Sequence, residues 1–253
     1  MSFNDFHLII EQSGDLKPKL DKTIDYLQQK DNVLLLTTSN RWDGYPDDIP
    51  KSTALALEIQ SQLGKQKCSL IEIPKVKIYT CEGNVSSDKG NNCGVKGSVL
   101  KEKVKNPSGY HRCWASINNK DDQLWKVSRA LFECDVCVFF GSIRWGQANA
   151  QYQKLIERLT WIENRHVTLL ESNILESKGT ECGCIFIGQN WRGSDVVKVQ
   201  KEVLEFFGFT SIKELCWNWQ YSQNENEESK SGYKKARKVF EDTFDIKLSK
   251  PEK

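Results

Sequence analysis

The sequence lacks the features that would direct the chain to a membrane, a secretory route or a nucleic acid. No apolar run approaches the roughly 20 residues that a bilayer-spanning helix needs. The first 15 residues include acidic side chains where a signal peptide is basic, and they have no long apolar core, so we expect no leader. A formal charge of +2 gives no electrostatic case for a nucleic-acid or membrane partner.

Histidines and the glycine motifs of nucleotide-binding loops are scarce or missing. The three histidines, His7, His111 and His166, are scattered and form no nucleophilic constellation, which argues against a catalytic triad. Neither GxxxxGK[ST] nor GxGxxG occurs, which excludes a Walker loop and a dinucleotide fingerprint. The sequence therefore names no catalytic acid, base or nucleophile.

Nine cysteines, an odd number, lie mostly in runs that we predict to be strands. The six in these runs are Cys68, Cys134, Cys137, Cys182, Cys184 and Cys216. A reduced thiol in such a position acts as a small hydrophobic side chain, so we expect a reducing, cytoplasmic location. The pair in "CDVC" has redox spacing, but it feeds a strand rather than opening a helix, which favours core packing.

Apolar runs alternate with amphipathic helical patterns along most of the chain. Five predicted strands (32–39, 68–73, 135–141, 182–188 and 212–219) alternate with five helices, which predicts an α/β fold with a parallel sheet covered on both faces. Outside this pattern lie an N-terminal arm, residues 1–31, with a short helix around 18–29, and an insertion, residues 74–119. The insertion far exceeds the roughly 2–6 residues usual for such a connection, and long insertions tend to be functional. With no repeat and no linker, we predict one domain over residues 1–253.

Polar side chains gather after the first, third and fourth predicted strands. In an open parallel sheet the ligand lies outside the carboxyl ends of the strands, where the strand order reverses. The first loop carries Ser39 and Arg41 and leads to Ser52 and Thr53 at the start of a helix. Unpaired N–H groups and the positive end of the helix dipole suit a phosphate there. The alternative is that Ser52 or Thr53 only caps the helix.

The other two loops, "GSIRWGQ" and "GQNWRG", share a tryptophan, an arginine, an amide and glycines. Glycine allows the backbone to approach a ligand closely, amides hydrogen-bond ring nitrogens and carbonyls, and tryptophan covers an aromatic face. The simpler alternative is that each tryptophan packs on a neighbouring loop and each arginine is ion-paired or solvated. Because the combination recurs in two loops, we favour a planar ring with polar edges whose phosphate lies on the first loop. That ligand is FMN.

The chain resembles the flavodoxin-like NADPH-dependent FMN reductase superfamily over about residues 32–245. The resemblance rests on "TTSNR…KST", on "FFGSIRWGQANAQYQKLIERL" with its "KLIER" stretch, and on "GQNWRG". It implies a flavodoxin-like three-layer α/β/α sandwich whose five parallel strands follow the order 2-1-3-4-5. It also implies a flavoprotein oxidoreductase that passes a hydride from NAD(P)H through FMN to a flavin, a quinone or another small electron acceptor, and that forms a homodimer or homotetramer. The long first loop and the insertion depart from the pattern.

The resemblance also implies a set of binding residues. It places the FMN phosphate at Ser39, Arg41, Ser52 and Thr53. It places the ring against Ser142, Ile143, Arg144, Trp145, Gly146 and Gln147, and against Asn190, Trp191, Arg192 and Gly193. A phosphate of NAD(P)H or a polar substrate would be held by Arg144, Arg192 or Arg112.

Two other functions stay open from the sequence. A non-catalytic electron carrier of flavodoxin type is one, although such carriers tend to be short and strongly acidic. A metal or iron–sulfur site in the insertion is the other, since Cys81, Cys93, His111 and Cys113 lie there. Their spacings are wide and include no CxxC pair, so we predict no metal and a hydrogen-bonded loop that covers the active site.

Overall fold

The computed structural model describes residues 16–40, 48–86, 88–188, 192–220 and 230–248. Its strands are β1 (Val33–Thr37), β2 (Cys68–Glu72), β3 (Val136–Arg144), β4 (Gln147–Ala148), β5 (Glu181–Gly188) and β6 (Thr210–Gln220). Its helices are α1 (Lys17–Leu27), α2 (Lys51–Leu63), α3 (Trp114–Asn118), α4 (Leu124–Glu133), α5 (Ala150–Val167), α6 (Ile174–Lys178), α7 (Gly193–Phe206) and α8 (Lys230–Phe244). The five helices predicted to alternate with the strands are α2, α4, α5, α7 and α8, the last of which follows β6. The short helices α3 and α6 were not predicted.

The five longer strands form a parallel sheet in the order β2-β1-β3-β5-β6. Without the two-residue β4, this is the predicted order 2-1-3-4-5, which is confirmed. The order reverses between β1 and β3, so the crevice of an open sheet lies at their carboxyl ends. The loop after β5 adjoins it, because β5 pairs with β3 on the other side.

The predicted loop after the third strand, residues 141–147, is wrong in its secondary structure. β3 continues past Gly141 to Arg144, turns at Trp145 and Gly146, and returns antiparallel as β4. Both turn residues have positive φ, 51° and 69°, which is the backbone of a two-residue hairpin. Residues 141–147 are therefore a strand end and a hairpin rather than an irregular loop.

Helices cover both faces of the sheet and divide the core in two. Because strand side chains alternate between faces, Leu34 and Leu36 pack with α4, α5 and α7, whereas Leu35 packs with α1, α2 and α8. This double burial explains why the inner strands are apolar at nearly every position, and it confirms the three-layer α/β/α sandwich. The helix predicted in the N-terminal arm is α1, and it completes the second layer.

The described helices are all unsuited to a bilayer, since none is both long enough and apolar enough to cross one.

Candidate functional site

Asn149 ties the carboxyl end of β1 to that of β3. Its side-chain oxygen accepts hydrogen bonds from the Ser142 N–H at 2.9 Å and from the Thr38 hydroxyl at 3.0 Å. Its side-chain nitrogen donates to the Thr38 carbonyl oxygen at 2.9 Å. The Thr38 N–H also donates to the Phe140 carbonyl oxygen at 2.9 Å. Since Asn149 and Thr38 are buried, this amide fixes the two loops relative to each other.

Three of the four predicted phosphate residues meet at the start of α2. Ser39 and Ser52 are buried, and the Ser52 hydroxyl donates to the Ser39 hydroxyl oxygen at 2.7 Å. The helix starts after Pro50, and no side chain caps it. The Thr53 hydroxyl is buried and has no hydrogen-bond partner in the structure. Neither serine nor threonine therefore acts as the N-cap. Arg41 lies outside the described residues.

The six residues after the third predicted strand that were predicted to contact the ring, 142–147, all lie in the β3–β4 hairpin. Ser142 and Ile143 are half-buried at its base, and Arg144 and Gln147 are exposed and paired across it. Trp145 lies at the tip with 90% of its surface exposed, so it does not pack on a neighbouring loop.

The base of the hairpin touches the end of β5. A Cβ at Gly188 would lie 2.6 Å from the Ile143 side chain, so only glycine fits there. Asn190 and Trp191 follow outside the described residues. Arg192 has a φ of 57° directly before α7, its Nε donates to Asp195 at 2.9 Å, and Gly193 is buried at the first helical position. The structure thus brings the β1, β3 and β5 ends together.

The insertion is fastened to α5 by Arg158, whose buried ion-pair partner Asp122 lies three residues beyond the insertion. Arg158, the last residue of "KLIER", donates to both carboxylate oxygens of Asp122 at 2.8 and 3.1 Å, and both side chains are fully buried. Arg158 also donates to the Tyr79 carbonyl oxygen at 2.7 Å and to the Ser116 hydroxyl oxygen at 3.0 Å. Although burial opposes ionisation of Asp122, hydrogen bonds from Arg158 keep its pKa below the ordinary value.

His111 belongs to the same buried network and is neutral. Ser116 has one hydroxyl proton and lies 2.9 Å from Asp122, so it donates there and accepts from Arg158 and from His111 Nε2 at 2.9 Å. His111 Nδ1 then accepts from Ser128 at 2.8 Å. Burial, reinforced by the Arg158 charge, lowers the pKa of His111 to about 3. This histidine orders the insertion, and it is neither exposed nor near the strand ends.

The remaining candidates of the insertion are Arg112 and three cysteines. Arg112 is buried and donates to both carboxylate oxygens of Glu171, at 3.0 and 2.9 Å, an ion pair that a nucleotide phosphate would have to displace. Cys81, Cys93 and Cys113 are free thiols. Within the described ranges, no three His, Cys, Asp or Glu side chains are grouped as metal ligands.

No family model matches the chain, and no curated protein matches it. Solved structures do. RosB with bound 8-demethyl-8-formylriboflavin-5'-phosphate is 11% identical over 85% of this chain and 76% of its own, with a TM-score of 0.53. An azoreductase from Bacillus anthracis str. Sterne is 12% identical over 85% of this chain and 97% of its own, with a TM-score of 0.47.

The chain has the flavodoxin-like fold. The strand order shows it, and the likeness to RosB agrees. At 11% identity that likeness concerns the fold alone. In an open sheet of this order the crevice lies at the carboxyl ends of β1, β3 and β5. In this chain the β3–β4 hairpin, the start of α2 and Asn149 lie at these ends.

Sequence reasoning missed Asn149, which organises the site through its hydrogen bonds with Thr38 and Ser142. Asn149 stands directly before α5, where an asparagine is expected as an N-cap. Its side chain makes no cap hydrogen bond and reaches across to the strand ends instead. In the sequence Asn149 is an asparagine between two alanines after "GSIRWGQ". Its role could not be predicted from that pattern, because it depends on the position of β1 in the folded protein.

Proposed function

We propose that this chain is an FMN-binding oxidoreductase that transfers a hydride from NAD(P)H through FMN to a flavin, a quinone or another small acceptor. The observation that carries the proposal is the buried, unpartnered Thr53 hydroxyl in the uncapped first turn of α2, beside the bonded pair Ser39 and Ser52. A phosphate would supply the acceptor oxygen that this hydroxyl lacks. RosB, which shares the fold, contains a riboflavin 5'-phosphate derivative.

The residues present fit such a cofactor. Ser39, Ser52 and Thr53, together with Arg41, would hold the phosphate, and residues 142–147 would lie along the ring. FMN supplies the hydride chemistry when it is bound, and the protein supplies orientation and electrostatics. Asn149 keeps the phosphate loop and the hairpin in register. Arg144 on the exposed hairpin edge is the side chain we favour for a phosphate of NAD(P)H, and Trp145 for covering a planar substrate.

The proposed ring site also includes Asn190, Trp191, Arg192 and Gly193, of which the first two lie outside the described residues. We further propose a cytoplasmic protein of one domain that forms a homodimer or homotetramer.

The phosphate claim is tested by comparing FMN with riboflavin, which lacks the phosphate, in a flavin-fluorescence titration. Thr53→Val removes the hydroxyl at nearly constant volume. Because a hydrogen bond to a charged group is worth about 1.5–3 kcal/mol, we expect FMN to bind roughly 10- to 100-fold more weakly and riboflavin to be unaffected.

Thr180→Val is the matched control. Its hydroxyl is also buried and unpartnered, but Thr180 precedes β5 at the amino ends of the strands. It should leave the affinity for FMN unchanged. Equal loss in both variants, or no affinity of the wild type for FMN, would refute the phosphate site.

The reaction is tested by steady-state oxidation of NADH and NADPH with a quinone or free FMN as acceptor. Turnover supports the reductase. FMN binding without turnover of either nicotinamide would leave the electron carrier as the better description.

A further inference from the structure

Cys184 and Cys216 face each other on neighbouring strands. They are direct register partners of the parallel pair β5 and β6, and both side chains pack on the α7 side of the sheet. Paired residues of adjacent strands have Cα atoms roughly 4.8 Å apart, within the roughly 4.4–6.8 Å that a disulfide spans. Cys184 is buried and Cys216 is half-buried, so Cys216 is the less enclosed residue of the pair.

The pair lies directly after an irregularity in the sheet. The register shifts between Cys182, which pairs with Ser211, and Cys184, so the residues 212–215 of β6 face the single residue Gly183. A Cβ at Gly183 would lie 2.1 Å from the Leu215 Cβ, which shows how closely the strands approach there. A bulge of this kind bends a strand and re-aims the side chains beside it. It places Cys216, rather than Lys213, opposite Cys184.

The surroundings of Cys216 favour its thiolate. Hydrogen bonding with Cys184 and the positive charge of Lys201 lower the pKa of Cys216 to about 7, although burial opposes this. Cys184 Sγ also lies 3.7 Å from the Val197 carbonyl oxygen, a further acceptor for its proton. Hydrogen bonding with Cys216, together with burial, raises the pKa of Cys184 well above its ordinary value.

We propose that Cys216 and Cys184 form a redox-active dithiol that is oxidised to a disulfide by hydroperoxides. The Cys216 thiolate attacks the peroxide, the O–O bond breaks, sulfur gains the oxygen as a sulfenic acid, and water or an alcohol leaves. The Cys184 thiol then attacks that sulfur, the S–S bond forms and water leaves. Two thiols and one hydrogen peroxide thus give one disulfide and two waters. A dithiol reductant reverses the step.

The test treats the reduced, folded full-length chain with hydrogen peroxide, blocks remaining thiols with iodoacetamide and digests it with trypsin. We expect a linked pair of peptides, residues 179–192 and 214–230, that dithiothreitol separates. The first peptide also contains Cys182, so fragmentation at Gly183 must assign the bond to Cys184. This readout uses the wild type and needs no variant to fold.

The rate of linking gives a second readout. Because only the thiolate attacks, a group with a pKa of about 7 speeds up about tenfold between pH 6 and pH 8, whereas an unperturbed thiol speeds up nearly a hundredfold. Cys182→Ser is the control, since Cys182 is buried on the same face but pairs with Ser211, and it should link like the wild type. Cys216→Ser should abolish linking.

Three results would overturn the proposal: oxidation of Cys216 to a sulfinic acid without a link, a link through Cys182, or a link that appears only in urea. None of them bears on FMN binding, which is measured separately.

Discussion

Replacing Asn149 tests whether one amide holds the site together. In Asn149→Ala three side-chain hydrogen bonds are lost, and the Ser142 N–H and the Thr38 carbonyl oxygen lose their partners. The Thr38 hydroxyl keeps an acceptor, the Phe140 carbonyl oxygen at 2.9 Å. An orphaned buried group costs about 1–3 kcal/mol, and water can reach the half-buried Ser142, so we expect a loss of about 2–4 kcal/mol in the free energy of unfolding. Asn149→Asp, which keeps the shape but replaces the donor by an acceptor, should lose as much.

The loss is measured by urea unfolding followed by tryptophan fluorescence, with an unchanged slope against urea as the sign that the native state is intact. Asn118→Ala is the control, because that amide donates only to an exposed glutamate and its loss should cost less than about 0.5 kcal/mol. An Asn149→Ala variant as stable as this control would refute the reasoning. If it is destabilised as expected but binds FMN like the wild type, Asn149 supports the fold and not the cofactor loops.

The buried network of the insertion and the sheet bulge give three more measurable outcomes. Arg158→Met leaves the Asp122 carboxylate buried without its cation, and we expect urea unfolding to show a loss of about 3–5 kcal/mol; a loss below 1 kcal/mol would mean that the pair is not desolvated. The pKa of His111 is about 3 in the folded protein against an ordinary 6.5, so the unfolded chain takes up the proton first as the pH falls. Its contribution to stability is complete above pH 6.5 and declines toward pH 3 by up to about 1.4 kcal/mol per pH unit; His111→Gln should remove this part of the pH dependence, and an unchanged profile would show that another group titrates. A Cβ at Gly183 would lie 2.4 Å from a carbonyl oxygen of β6, so Gly183→Ala should cost about 1–3 kcal/mol or more in thermal unfolding, whereas Gly97→Ala, with its nearest contact at 3.6 Å, should not.

The inner strands were predictable because they are buried on both faces. In an α/β pattern, an apolar run such as the five buried residues of β1 predicts a strand covered on both faces. The bounds predicted for β1 were within two residues of those observed at each end. The β3–β4 hairpin was not predictable in the same way. Its turn uses Trp145 with a positive φ, which is rare for a bulky residue, so no sequence signal for a two-residue turn is present except Gly146.

The site was predictable to the level of loops but not of contacts. Ser39 and Ser52 are 13 residues apart, and only the return of the chain to α2 brings their hydroxyls to 2.7 Å. Arg112 looked available for a phosphate because its partner Glu171 lies 59 residues away, in the turn after α5. Contacts between residues far apart in the sequence produce no periodic pattern, whereas a buried strand produces a recognisable apolar run.

Helix α5 and the residue before it contact both the strand ends of the candidate site and the insertion, which are far apart in the sequence. At its start, Asn149 holds the ends of β1 and β3, and nine residues later Arg158 holds the insertion through Asp122 and the Tyr79 carbonyl. The spacing places these anchors about 13–14 Å apart along one rigid helix. The insertion is therefore fixed to the same element as the site, and it cannot move as a freely hinged loop without breaking the hydrogen bonds that the buried Arg158 donates to the Tyr79 carbonyl and to Ser116. A fixed structural role suits this anchoring better than a role as a lid that opens in each cycle.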